Sequence, residues 1–105
     1  MKPAKISKRA RKDLERIRDL IAEDNPEAAD RVWDALLDTA DLLAANMEAG
    51  TKIVNAPARY SDVRWFVVPR FRNYLIFYRP HEDAVLVLRI LHAAQDWTRF
   101  FGDKR

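Results

Sequence analysis

The sequence predicts an α+β fold: a short N-terminal strand and a helical hairpin packed on an antiparallel sheet, then a short C-terminal helix, in the order β-α-α-β-β-β-α. Three observations predict it. Between Ser7 and Ala45 apolar residues recur at helical spacing, broken once at Asp24-Asn25-Pro26. Between Val63 and Leu91 the pattern changes to short runs rich in β-branched and aromatic residues, separated by turns that contain proline. The 105 residues suit one domain, residues 1–105, and 49% hydrophobic with 10% aromatic content is enough for one core.

Each element has a local reason. Residues 3–6 read as an extended segment, with Pro3 suited to a strand start. Ser7 is placed to cap a helix, its hydroxyl accepting from a first-turn N–H. Ala10, Leu14, Ile17 and Ile21 then form one face of that helix. Arg9 with Asp13, and Arg11 with Glu15, are i,i+4 pairs worth roughly a few tenths of a kcal/mol each. Asn25 reads as the next N-cap and Pro26 as the first helical residue, where its missing N–H costs nothing. Ala29, Val32, Trp33, Leu36, Leu37, Ala40 and Leu43 carry the stripe to about Ala45, so the two helices are antiparallel neighbours. Residues 46–62 read as a loop containing Gly50 and Pro57, with room for a turn of helix.

Val63–Val68 is strand-like and ends at Pro69-Arg70. Phe71–Arg79 reads as a second strand, with Phe71, Leu75 and Phe77 on one face and Arg72, Tyr74, Ile76 and Tyr78 on the other. Pro80-His81-Glu82-Asp83 reads as a turn, and Ala84–Leu91 as a third strand in a hairpin with the second. Both have apolar residues on both faces, as in strands covered on two sides, or covered on one and used for binding on the other. Trp97, Phe100 and Phe101 stand at helical spacing in a terminal helix of about two turns that ends near Gly102.

Composition removes several function classes. The chain has no cysteine, which excludes disulfide scaffolds, thiolate metal sites and cysteine nucleophiles. Two glycines are too few for Rossmann or P-loop phosphate cradles, and two histidines argue against a histidine-rich metal site. Asp30, Asp34, Asp38 and Asp41 form a line along one side of the second helix, which suits a solvated face better than a metal cage. Neither a metal nor a cofactor is expected. No apolar run is long enough to span a bilayer, and the charged N-terminus does not resemble a secretory leader, so a cytoplasmic location without membrane contact is expected.

The net charge of +3 is unevenly spread. Residues 1–24 carry eight Lys/Arg and five Asp/Glu, residues 25–50 one and six, and residues 51–105 ten and five. Such polarity steers a charged partner without identifying it. Arg59, Arg64, Arg70, Arg72, Arg79 and Arg89, interleaved with Tyr60, Trp65, Tyr74 and Tyr78, suit either an RNA-binding face or a grip on an acidic protein segment. His92 is the one candidate neutral-pH base near a strand end, and it equally suits a structural bond to a backbone carbonyl or to Asp96. Trp97, Phe100 and Phe101 are either a strip docking on the core or an exposed patch for a partner.

Four blocks in this order resemble the ParE branch of the RelE/ParE toxin superfamily, the toxin half of bacterial type II toxin–antitoxin pairs. Ile6–Ile17 is similar to the family's opening strand and "xxAxxDLxxI" helix, and Asn25-Pro26-Glu27-Ala28-Ala29 to its inter-helix break. Asn73–Arg79 is similar to its "YRIFY" strand and Val87–His92 to its "VLRVLHxxRD" strand end. The resemblance covers nearly the whole chain. It implies a toxin that inhibits DNA gyrase by direct binding and is neutralised by a ParD-like antitoxin. Implied target-facing residues are His92, Trp97, Arg99, Phe100 and Phe101; implied antitoxin-facing residues are Arg64, Arg70, Arg72, Tyr74, Tyr78 and Arg79. The alternative from the same superfamily is a ribosome-dependent mRNA endonuclease with Arg72, Arg89 and His92 as charge stabilisers and base. A third alternative is a domesticated member that only binds its antitoxin. The chain departs from the nuclease pattern: Gln95 stands before Asp96 where a basic residue is common, and the terminal helix has Phe100 and Phe101 where nucleases often have an acid–base tyrosine or histidine. Phenylalanine cannot exchange a proton.

Overall fold

The computed structural model describes residues 4–101; Pro3 and Gly102, where the sequence places the start of the first strand and the end of the last helix, lie outside them. Strand β1 is Lys5–Ile6, and helices α1 (Lys8–Asp24) and α2 (Pro26–Ala45) follow. After β2 (Thr51–Lys52) and a 3-10 turn (Ala58–Tyr60) come β3 (Arg64–Val67), β4 (Tyr74–His81), β5 (Ala84–His92) and α3 (Thr98–Phe101). The expected α+β architecture is present, as a five-stranded sheet of order β1-β5-β4-β3-β2. β2 to β5 pair antiparallel, and β1 joins β5 in parallel, which makes the sheet mixed.

The helix caps are local chemistry and fall where the sequence puts them. The Ser7 hydroxyl accepts from Ala10 N at 3.0 Å and the Asn25 side chain accepts from Ala28 N at 3.1 Å. α1 buries Ala10, Leu14 and Ile17; α2 buries Ala29, Val32, Ala35, Leu36, Ala40, Leu43 and Ala44. Trp33 is half-buried against this core, with the Arg18 guanidinium 4.8 Å from its ring centroid.

Three strand boundaries differ from the sequence reading. Thr51–Lys52 is a strand because it pairs with Trp65 and Arg64, a partnership its own sequence does not announce. β4 begins at Tyr74, not Phe71: residues 68–74 form a tight turn closed by Phe71 N–Val68 O and Tyr74 N–Phe71 O bonds, so Phe71 packs on the helix side, away from Leu75 and Phe77. β4 also runs through Pro80 to His81. Proline is tolerated there because β3 pairs no further than Tyr78, leaving that edge without a ladder to break. The hairpin turn is then only Glu82-Asp83, with Glu82 at φ 56°.

Both sheet faces are covered. On the helix side Leu14, Leu36, Leu43, Ile76, Tyr78, Val87 and Ile90 form the main core. On the other side Ile53, Val63, Phe77, Leu91 and Phe101 form a smaller one, flanked by Trp65, Leu75, Leu88, Trp97 and Phe100. The β4–β5 register slips between Phe77 (opposite Arg89) and Tyr78 (opposite Val87), leaving Leu88 as the extra residue of a bulge. Tyr78 belongs to the main core and is fully buried; its hydroxyl donates to Met47 O at 3.0 Å and accepts from Gly50 N at 2.7 Å. This corrects its expected place on a binding surface: a phenol wholly inside the core cannot touch a partner.

Candidate functional site

The face of the sheet away from the helices carries a cleft of about 410 Å³. Its floor is Arg79 of β4 with Leu88 and Arg89 of β5. Arg59 and Tyr60 of the 3-10 turn form one wall, and Arg99, Phe100 and Phe101 of α3 another. Ser7 and Arg9 at the start of α1 close the end.

The terminal wall is built by a capped single turn. Asp96 accepts from the amide and hydroxyl of Thr98, and Phe100 N and Phe101 N both donate to Trp97 O. Within the described residues α3 covers one turn of the two expected. Phe101 is 4% exposed, stacked on Phe77 at 4.8 Å between centroids and edge-on to Tyr60 at 5.2 Å. Phe100 and Trp97 are only half-buried, and Arg99 is exposed beside them. Phe101 docks the segment on the core, while Trp97 and Phe100 pack against the same core and keep part of their surface exposed.

Arg89 is held, not free. Its Nε and Nη2 donate to Asp13 at 2.8 and 3.0 Å, and its guanidinium lies 4.4 Å from the Phe100 ring centroid. Asp13 is 3% exposed and also accepts from Ile90 N at 3.0 Å, where β1 has ended and the β5 edge would otherwise be bare. Asp13 is thus committed to β5 and to Arg16 at 3.3 Å, which replaces the expected pairing with Arg9. Arg79 is fixed similarly, by Asp62 at 2.9 Å and the carbonyl of Arg59. Arg9, Arg59 and Arg99 are exposed and have no carboxylate partner among the described residues.

Comparison with known proteins places this geometry in a family. The family model for the ParE toxin of the type II toxin–antitoxin system parDE matches residues 4–97. The chain belongs to the ParE toxin family of type II toxin–antitoxin systems. It is 31% identical over 96 residues to the toxin RelE3 of Caulobacter vibrioides, covering 90% of this chain and 98% of that one. Its fold is similar to a chain of the chromosomal ParDE toxin–antitoxin system of P. aeruginosa, with a TM-score of 0.69 at 24% identity, over 88% of this chain and 96% of the other.

In this ParE-family toxin the residues expected to act together are distributed unevenly. Arg99, Phe100 and Phe101 meet at the cleft, with Trp97 beside them against Phe77. His92 does not join them. It pairs with Tyr74, edge-on at 5.4 Å, and lines a separate small cleft with Arg16, Leu20 and Gln95. Its Nδ1 accepts from Ala94 N at 3.0 Å and its amide donates to the Gln95 side chain, in place of the expected carbonyl or Asp96 contact. Arg72 is exposed in the turn before β4. The three residues of the nuclease alternative therefore occupy three different settings.

The antitoxin-facing set is also divided. Arg64 turns to the helix side and donates to Gly50 O at 2.7 Å, whereas Arg79 lines the cleft on the opposite face. Arg70 borders a groove of about 370 Å³ between α2 and the turn after β3, facing Asp34 and Asp38. Asp30, Asp34, Asp38 and Asp41 are all exposed. Among the described residues no cluster of three His, Asp or Glu side chains is placed to hold a metal ion, and no helix is long and apolar enough to cross a membrane. Sequence reasoning left Arg9 out of the site. Its signal was available in hindsight only as a basic residue in a first helical turn, where carboxylates are favoured.

Proposed function

We propose that this ParE-family toxin acts in the cytoplasm by binding, without catalysis of its own, that it inhibits DNA gyrase by direct contact, and that a ParD-like antitoxin neutralises it. The observation that carries the reading is the wall of the cleft: half-buried Phe100 beside exposed Arg59 and Arg99, anchored by buried Phe101, with half-buried Trp97 next to it against Phe77. Aromatic rings and arginines set around a buried anchor are the residue types that dominate protein–protein hot spots. Membership of the ParE toxin family supports the choice of gyrase as the target. The antitoxin segment is assigned to the groove between α2 and the turn after β3, with Arg70 on its border and exposed Arg72 two residues further along the same turn.

The test is a gyrase supercoiling and DNA-cleavage assay with the purified toxin, with and without its antitoxin. Inhibition that the antitoxin relieves is the expected result. No effect at high excess, from a preparation that arrests growth in cells, overturns the gyrase assignment. The second reading, a ribosome-dependent mRNA endonuclease, is favoured by one observation, the arginine-rich cleft itself. It requires His92→Gln to cost orders of magnitude in message cleavage; the binding reading expects growth arrest by that variant to be unchanged.

A further inference from the structure

We infer that the arginine cleft is a binding site for the di- or triphosphate group of a nucleotide, a site separate in its logic from the gyrase reading and testable without it. Five guanidiniums, those of Arg9, Arg59, Arg79, Arg89 and Arg99, line one cleft. Asp62 and Asp13 answer Arg79 and Arg89, which leaves three positive charges without a carboxylate among the described residues. A di- or triphosphate has the charge to match them, and guanidinium forks fit phosphate oxygens in pairs.

A second observation points the same way. The first turn of α1 holds no acid and instead carries Lys8, Arg9 and Arg11, while the first turn of α2 has Glu27. Cations at a helix N-terminus oppose the macrodipole and crowd its orphan amides, an arrangement that an anion at that end would relieve. Ser7 caps one free amide of this end but supplies no negative charge, so the charge mismatch is left standing within the described residues, as is common at functional sites. Ser7 and Arg9 bring this helix end to the wall of the same cleft.

Preorganisation and size fit a small ligand. Arg89 is clamped between Asp13 and the Phe100 ring and Arg79 is clamped by Asp62, so the floor of the cleft is preorganised, while exposed Arg9, Arg59 and Arg99 lose side-chain freedom on closing over the phosphates. A cleft of about 410 Å³ lies within the usual range for small-molecule sites. Half-buried Tyr60, Leu88 and Phe100 supply an apolar wall for the base.

The experiment is calorimetric titration of the intact toxin with AMP, ADP, ATP and pyrophosphate at constant ionic strength. Single-stranded oligonucleotides with and without a 5′-phosphate are titrated in parallel. One-to-one binding that tightens from AMP to ADP to ATP is expected. Arg9→Ala, Arg59→Ala and Arg99→Ala, all at exposed positions, should each weaken ATP binding about tenfold. Lys52→Ala, on the exposed edge strand, should leave it unchanged. Tighter binding of the 5′-phosphorylated oligonucleotide than of ATP would overturn the polyphosphate assignment, because a strand end of that kind offers only a monophosphate. The proposal is overturned if no polyphosphate binds at millimolar concentration to protein with an unaltered circular dichroism spectrum. It is equally overturned if Lys52→Ala weakens binding as much as the arginine variants, or if oligonucleotides bind regardless of terminal phosphate and free nucleotides do not.

Discussion

Removing the Asp13 carboxylate would strand Arg89, which is 12% exposed and bound to it by two hydrogen bonds, and would also bare the Ile90 amide at the β5 edge. Breaking one side of a buried ion pair costs more than the pair itself contributes, because the surviving charge keeps its desolvation penalty. Asp13→Ala is therefore expected to lower the unfolding free energy by about 3 kcal/mol in urea titration. Arg89→Met added to it should recover part of that loss, and failure to recover any would place the cost in the Ile90 amide alone. Tyr78 offers a pH-dependent counterpart. Burial pushes its hydroxyl above 10.0, against the opposing pull of the Gly50 amide and the Arg64 charge. The folded state thus holds the proton more tightly than the unfolded chain. Its contribution to stability is complete below about pH 10 and is lost as pH rises from there through the folded pKa. Comparing wild type with Tyr78→Phe in urea from pH 8 to 11 should show the gap between them narrow in that upper window; a gap independent of pH would contradict the raised pKa. Gly50→Ala is expected to destabilise as well, since a Cβ there would stand 2.6 Å from the Tyr78 hydroxyl oxygen and 2.8 Å from Trp65 O.

At the scale of elements, α3 separates anchoring from exposure within four residues. Phe101→Ala removes a ring stacked on Phe77 and is expected to cost about 3 kcal/mol of stability. Phe100→Ala, at a half-buried ring, should cost well under half of that in the same denaturation series, yet reduce target inhibition more strongly than its stability change explains. Equal losses of stability in the two variants would remove the distinction. Deleting the whole segment from residue 97 onward would mix the two effects, because Phe101 closes the second core. The same contrast explains what was legible in the sequence. Ser7, Asn25 and Pro26 define helix ends by bonds to residues a few positions away, so α1 and α2 could be bounded from composition and spacing. β2 could not, because two residues become a strand only by meeting Trp65 and Arg64. Phe71 looked like a strand residue by alternation, but the turn hydrogen bonds that displace it are set by tertiary folding. In the cleft, the aromatic spacing of Trp97, Phe100 and Phe101 was readable, whereas the Asp13–Arg89 bond spans 76 positions and carries no local signature.

The whole molecule turns this arrangement into an electric polarity. Exposed Asp30, Asp34, Asp38 and Asp41 line α2 on the helix side of the sheet, and the arginine cleft opens on the other side. A partner with an acidic docking surface is drawn to one face and repelled by the other, which accelerates encounter in the productive orientation without adding to the contacts finally made. On the proposed reading, the rate at which the toxin associates with gyrase should fall as salt is raised, since the screening length shrinks from ~30 Å at 0.01 M to ~10 Å at 0.1 M. Arg99→Glu should slow association about tenfold at low salt, and the difference from wild type should close as salt increases. Asp38→Lys makes the chain more basic by the same two units that Arg99→Glu makes it less so, but on the opposite face. If polarity steers the encounter, Asp38→Lys changes the rate little. If net charge alone steers it, the two substitutions move the stopped-flow rate by comparable factors in opposite directions, and the orientation argument fails.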